Sequence, residues 1–152
     1  MNKQQLIEKL EKSWADFHRS YAGLTAEELV RPGVMGEWSV KDLLAHVSWW
    51  EEETLKHLPE VLQGIRPQRY SVLYGGIDAF NALMTEKWRT LSLAETQKKA
   101  NATHAALIAY LHSLPEELFT SDTRFRRRLR LDTYGHYPIH ANAIHTWREK
   151  IS

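Results

Sequence analysis

With 152 residues, 43% apolar and 26% charged, the chain is long enough for one substantial hydrophobic core, and a single domain over 1–152 is expected. Its 20 Lys+Arg against 19 Asp+Glu leave a net charge of +1, so no global field draws in nucleic acid or a membrane, and neither is expected as a partner. The absence of cysteine excludes disulfides, thiolate metal ligands and a cysteine nucleophile, and a cytoplasmic setting is expected.

The N-terminal segment MNKQQLIEKLEKSW is charged throughout, unlike a signal peptide, and no apolar run reaches membrane-spanning length. Leu6, Leu10, Trp14, Phe17 and Tyr21 mark one face of a first helix that Gly23 ends. Thr25 and Glu28 have capping-box spacing. Ser39, with Asp42 three residues on, starts a second helix whose stripe is Leu43, Val47, Trp50, Leu58 and Val61/Leu62, closed by Gly64. Residues 64–77 hold three Gly and a Pro, lack a helical period and are expected to cross the length of a bundle. Phe80, Leu83, Met84, Trp88 and Leu91 form a short helix. Ser92 and Glu95 then cap a third long helix that runs to Pro115.

From Asp122 the stripe Phe125, Leu129, Thr133, His136, His140, Ile144, Trp147, Ile151 predicts a last helix. Arg124, Arg126, Arg127, Arg128 and Arg130 fall mostly on its outer face, and a kink or restart is expected near Gly135 because Pro138 crowds the preceding turn. Residues 121–152 carry seven basic and three acidic groups, so the positive excess sits at this end. The pattern predicts an all-α four-helix bundle, up-down-down-up, with a long crossover between helices two and three. No strand is expected beyond a short bridge in 64–77 or 119–125.

Histidine placement carries the chemistry. His136 and His140 stand at i, i+4 on the apolar stripe, and His46 lies at the edge of the stripe of helix two. Three neutral imidazoles leave a divalent cation its full charge and an open position, the arrangement of catalytic rather than structural metal sites. Two buried histidines satisfied by neighbouring groups are the competing explanation of the pair. Glu53, seven residues after His46, is a candidate ligand, orienting group or proton acceptor. His104 is a rival inward imidazole, whereas His57 and His145 lie too far away or too far round to join. The arginine run reads as a solvated helix face.

The segment Gly36-Glu37-Trp38-Ser39-Val40-Lys41-Asp42-Leu43-Leu44-Ala45-His46 with Trp49-Trp50 resembles the helix-two signature of the DinB/YfiT-like superfamily. Thr133-Tyr134-Gly135-His136-Tyr137-Pro138-Ile139-His140 looks like its second histidine motif. Asp78-Ala79-Phe80-Asn81 and Ile144-x-x-Trp147 are most similar to the ClbS/DfsB-like branch. The resemblance implies a four-helix bundle, often dimeric, with a metal on His46, His136 and His140. It also implies chemistry of the thiol-dependent transferase or isomerase kind, or, in the ClbS-like branch, metal-free resistance hydrolases.

The expected function is therefore a metal-dependent enzyme that activates water or a low-molecular-weight thiol against a small molecule. Zinc comes first among the ions, with nickel, iron and manganese also accepted by imidazole. Trp38, Trp49, Trp50 and Tyr137 are expected to wall the substrate pocket, with Glu53 as the catalytic carboxylate. A metal-free hydrolase or binding protein is the alternative, and a non-enzymatic interaction bundle the third reading. A homodimer through an apolar helix face is expected.

Overall fold

The computed structural model describes residues 1–152, folded into nine helices with no strand. The elements are α1 (Lys3–Ser20), α2 (Ala26–Leu29), α3 (Val40–Leu62), α4 (Tyr70–Leu73), α5 (Ile77–Arg89), α6 (Leu93–His112), α7 (Glu117–Thr120), α8 (Arg124–Asp132) and α9 (Tyr137–Ile151). The chain is thus all-α, as its periodicity predicts. The one isolated bridge joins Met35 and Trp38, outside both segments where a bridge is expected.

The helix starts follow the capping chemistry. Thr25 with Glu28, Ser39 with Asp42, and Ser92 with Glu95 all form reciprocal capping boxes, each satisfying two backbone N–H groups that the first turn leaves unpaired. Asp42 does more than cap. It also receives Arg89 Nε at 3.3 Å and a terminal Arg89 nitrogen at 3.2 Å, tying the end of α5 to the start of α3.

The four long helices α1, α3, α6 and α9 carry the core, α1 against α9 and α3 against α6. Leu6, Leu10 and Phe17 of α1 and Ile144 of α9 are fully buried, as are Leu43, Val47 and Leu58 of α3 and Leu107 and Leu111 of α6. Burying a side chain of this size stabilises the fold by about 1.5–3 kcal/mol. A smaller cluster of Ala45, Trp49, Trp50, Phe80 and Trp88 joins α3 to α5.

One expectation needs correction. Residues 64–77 do not simply cross the bundle: they contain α4, whose Tyr70 packs on Trp50 and Phe80 with ring centroids 5.3 and 5.0 Å away. Aromatic burial holds this segment where helical period is lacking. The restart expected near Gly135 is present and divides the last helical segment in two. α8 ends at Asp132, Thr133 adopts φ −124°, ψ −104°, and α9 begins after His136. Gly135 closes the break, its N–H donating to Arg130 O at 2.9 Å. Its φ is not positive; glycine is required because a Cβ there would lie 2.7 Å from the Arg130 carbonyl oxygen.

Candidate metal centre

His46 projects from the second turn of α3, which the Ser39–Asp42 cap fixes in register. His136 occupies the cap position of α9, with φ −110° and ψ −48°, and His140 lies one turn inside that helix. The pair therefore meets across a helix start rather than along an unbroken helix face. The three rings converge. His46 Nε2 and His140 Nε2 lie 3.1 and 2.8 Å from His136 Nε2. One ligand nitrogen from each ring lies within 4.8 Å of those of the other two.

The protonation pattern of this cluster fits a cation. Met35 Sδ, an acceptor only, sits 3.3 Å from His140 Nδ1. That contact makes Nδ1 the protonated nitrogen of His140 and leaves its Nε2 lone pair facing the cluster. Nδ1 of His46 and Nδ1 of His136 are buried without a partner. Nε2 of His46 and Nε2 of His140 thus each stand about 3 Å from Nε2 of His136, and nitrogens gathered in this way can share one cation. In a tetrahedral zinc site with bonds of about 2.0–2.1 Å the nitrogens stand about 3.3–3.4 Å apart, close to the spacing seen here.

Burial pushes all three rings far below the usual imidazole value of 6.5: His46 to about 2, His140 to about 3 and His136 to about 4. Repulsion among the rings adds to the first two, and the backbone of Asp132 opposes the shift of His136. All three are neutral at pH 7 and carry lone pairs suited to a metal.

His46 and His136 line a cavity of about 310 Å³ together with Trp50, Tyr70, Ile77, Asn81, Arg128, Leu131 and Asp132. Trp38 leans on His46 with centroids 4.8 Å apart, and Trp49 meets its edge at 5.0 Å. Trp50 thus lines the cavity itself, whereas Trp38 and Trp49 support the His46 ring. Tyr137 does not wall this cavity. It is fully buried, donates its hydroxyl to Glu51 Oε2 at 2.6 Å and packs against Trp14.

Glu53 is also placed differently from a direct site carboxylate. It accepts the Tyr70 hydroxyl at 2.8 Å and approaches His57 Nε2 at 3.5 Å, so it reaches the cavity through Tyr70. Asp132 is the carboxylate that lines the cavity. Its Oδ2 receives Thr54 Oγ1 at 2.7 Å and Arg128 Nε at 2.6 Å, and burial raises its pKa despite the Arg128 charge. Arg128 is consequently not part of the outer face: its side chain is only 18% exposed.

The remaining histidines lie elsewhere. His57 is buried between Glu53 and Glu60, and His145 is exposed. His104 is inward-facing, but it stacks on Trp14 and sits between Glu51 and Glu11. Burial alone would lower its pKa, yet the two carboxylates together raise it. Glu51, fully buried, is raised by desolvation against the pull of His104. Sequence reading missed Tyr70, Asn81, Arg128 and Asp132 as cavity residues. Only the i, i+4 spacing of Arg128 and Asp132 offered a local signal, that of an ion pair.

An all-helical bundle with three converging imidazoles beside a mixed polar and aromatic cavity defines the class of protein. The chain belongs to the DinB superfamily, whose profile matches residues 9–146. Among solved structures, a protein from Streptococcus pneumoniae superposes with a TM-score of 0.79 at 17% identity, over 98% of this chain and 91% of that one. An uncharacterized protein from Clostridium difficile 630 gives 0.76 at 15%, over 98% and 96%. ClbS, the colibactin self-resistance protein solved in complex with double-stranded DNA, gives 0.75 at 13%, over 95% and 94%. No curated protein matches the chain. At these identities the likeness is one of fold. The expectation of no nucleic-acid partner stands against one fact about this fold: ClbS has been crystallised with double-stranded DNA. No helix is long and apolar enough to cross a membrane.

Proposed function

We propose that this DinB-superfamily chain is a metal-dependent enzyme acting on a small molecule, with a divalent cation held by His46, His136 and His140. The observation that supports this is the convergence of three Nε2 atoms at the wall of a cavity, on neutral rings of which two are buried and that of His136 is half-buried. When bound, the cation supplies a Lewis acid that lowers the pKa of water or of a low-molecular-weight thiol into the neutral range. Zinc is the first choice on donor chemistry, and nickel, iron or manganese suit the same nitrogens.

The chain's own residues shape the rest of the reading. Met35 and the rings of Trp38 and Trp49 hold the imidazoles in orientation. Trp50 gives the substrate an apolar surface. Asp132, beside His136 and paired with Arg128, is placed to take a proton at its carboxylate, while Glu53 positions the Tyr70 hydroxyl. A cytoplasmic setting suits a cysteine-free chain.

Metal analysis of protein purified without a nickel column tests the reading. One divalent ion per chain is expected, falling close to zero in His140→Ala with the circular-dichroism spectrum retained. A wild-type protein that neither carries nor takes up zinc, nickel, iron or manganese in stoichiometric amount would overturn it. A metal-free hydrolase or sequestering protein is the second reading, favoured by the likeness to ClbS, a self-resistance protein. Under it, substrate turnover or binding survives His140→Ala and chelation.

A further inference from the structure

We propose that Asn81 is the substrate-orienting residue of this cavity, presenting its amide N–H groups to a neutral carbonyl oxygen of the ligand. The inference rests on the reading of the cavity beside His46 and His136 as the substrate site. It does not require an ion to be bound.

The argument begins with two tryptophans. Trp49 and Trp50 both donate their indole N–H to Asn81 Oδ1, each at 3.1 Å. An indole nitrogen is a donor only, so both rings require the oxygen of the amide, and the orientation of the Asn81 side chain follows from chemistry. Nδ2 is consequently the free edge. It has no hydrogen-bond partner in the protein, and it is absent from the polar atoms sealed away from solvent. Asn81 itself is half-buried and lines the cavity together with His46, His136 and Trp50.

Most of the neighbouring polar groups are engaged with one another. Arg128 directs Nε to Asp132 and a terminal nitrogen to the Tyr70 hydroxyl at 3.3 Å. Tyr70 in turn donates to Glu53. The Arg128 charge is answered by Asp132, so this wall offers no spare positive charge to a carboxylate. What it offers is an uncharged pair of N–H donors at the edges of two indoles, with the apolar side chains of Ile77 and Leu131, 54% and 68% exposed, at the rim. That combination fits a ketone, ester or amide carbonyl on an apolar body. The donor is also rigidly held. Phe80 beside it is buried against Tyr70, Tyr74 and Trp50, and two indoles fix the amide plane.

Two probes of the same shape test the assignment: acetophenone, and α-methylstyrene, in which a methylene replaces the carbonyl oxygen. Binding is followed by 1H–15N NMR on the indole signals of Trp49 and Trp50 and on the Asn81 side-chain amide. In wild-type protein acetophenone should bind at least about fivefold more tightly, consistent with one net hydrogen bond. It should also shift the Asn81 amide protons downfield, which α-methylstyrene should not.

Asn81→Asp keeps an acceptor for both indoles and removes the donors, so discrimination should fall below twofold while both indole signals remain. The wild-type amide shift gives a reading that no variant has to fold for. In His140→Ala the discrimination should persist, whatever the outcome of the metal analysis. Equal affinities in wild type, no binding of either probe, discrimination that survives Asn81→Asp, or discrimination lost only in His140→Ala would each overturn the proposal. The last of these would assign the carbonyl to the ion.

Discussion

Gly135→Ala is a single-methyl test of how the site is built. The added Cβ would stand 2.7 Å from the Arg130 carbonyl oxygen and 3.4 Å from the Arg130 carbonyl carbon and Cγ. The first contact is well inside van der Waals distance, and it falls on backbone that cannot rotate away. Overpacking of this kind costs about 1–3 kcal/mol, against roughly 0.4–1 kcal/mol gained because alanine restricts the unfolded chain. Strain wins, leaving a net loss of about 1–2 kcal/mol, or roughly 2–8 °C in Tm for a domain of this size.

The larger effect should be on metal. His136 follows directly, and its N–H donates to Thr133 O at 2.7 Å, so opening the break swings the middle ring of the three. Zinc affinity measured by competition with a chromophoric chelator should fall at least about tenfold, in line with losses on disturbing groups that orient metal ligands. Gly64→Ala supplies the contrast. Its φ of +76° with nothing within 4 Å of the added Cβ means only the left-handed penalty of about 1–2 kcal/mol, far from the histidines. That variant should melt lower and bind zinc unchanged. A Gly135→Ala protein that melts at or above wild type and titrates with unaltered affinity would refute the account of the break.

His104→Ala should strand the buried Glu51 carboxylate and cost about 3–5 kcal/mol in urea unfolding, with metal content unaffected; full metal loss would mean the two histidine clusters are coupled. His57→Ala and His145→Ala should both retain stoichiometric metal, and loss in either as complete as in His136→Ala would place that ring in the site. In chelator-treated protein His46, His136 and His140 stay neutral when folded but return to about 6.5 when unfolded, so the unfolded state binds more protons below that pH. Their contribution is complete above about pH 6.5 and falls as pH drops, by about 1–2 kcal/mol per ring at pH 5. His104, raised by its carboxylates, has the opposite sign, so the informative comparison is His46→Gln, whose stability should fall less steeply between pH 7 and 5. A slope unchanged by that substitution would remove the basis for treating His46 as buried and neutral.

Local chemistry made much of the fold legible. Each of Thr25, Ser39 and Ser92 announces a helix three residues ahead of its acidic partner, because capping is a contact within one turn. The three converging histidines were likewise readable from which stripe each one shared. The route between His136 and His140 was only half legible, since the break that puts His136 at a helix start depends on Gly135 meeting Arg130, a contact of backbone rather than of pattern. Tyr137 shows the same limit. One residue past His136, it turns into the core and buries its hydroxyl on Glu51, 86 positions away in sequence. Asn81, Tyr70 and Arg128 meet only once residues 63–76 have folded back onto α3, and neither period nor cap in that segment foretells it.

α9 starts without a side-chain cap: His136 holds the cap position, and Pro138 supplies only a preset φ. Winding the first turn of any helix is its costly step, because several dihedrals are fixed for a single hydrogen bond. His136 and His140 span that very turn, so an ion gripping both would do the nucleating from outside, and growth along α9 and its docking on α1 would follow. On the proposed reading, metal uptake then becomes a folding event centred on α9. Scarcity of the ion would shorten the protein's lifetime as well as silence its chemistry, making abundance in the cell a gauge of metal supply.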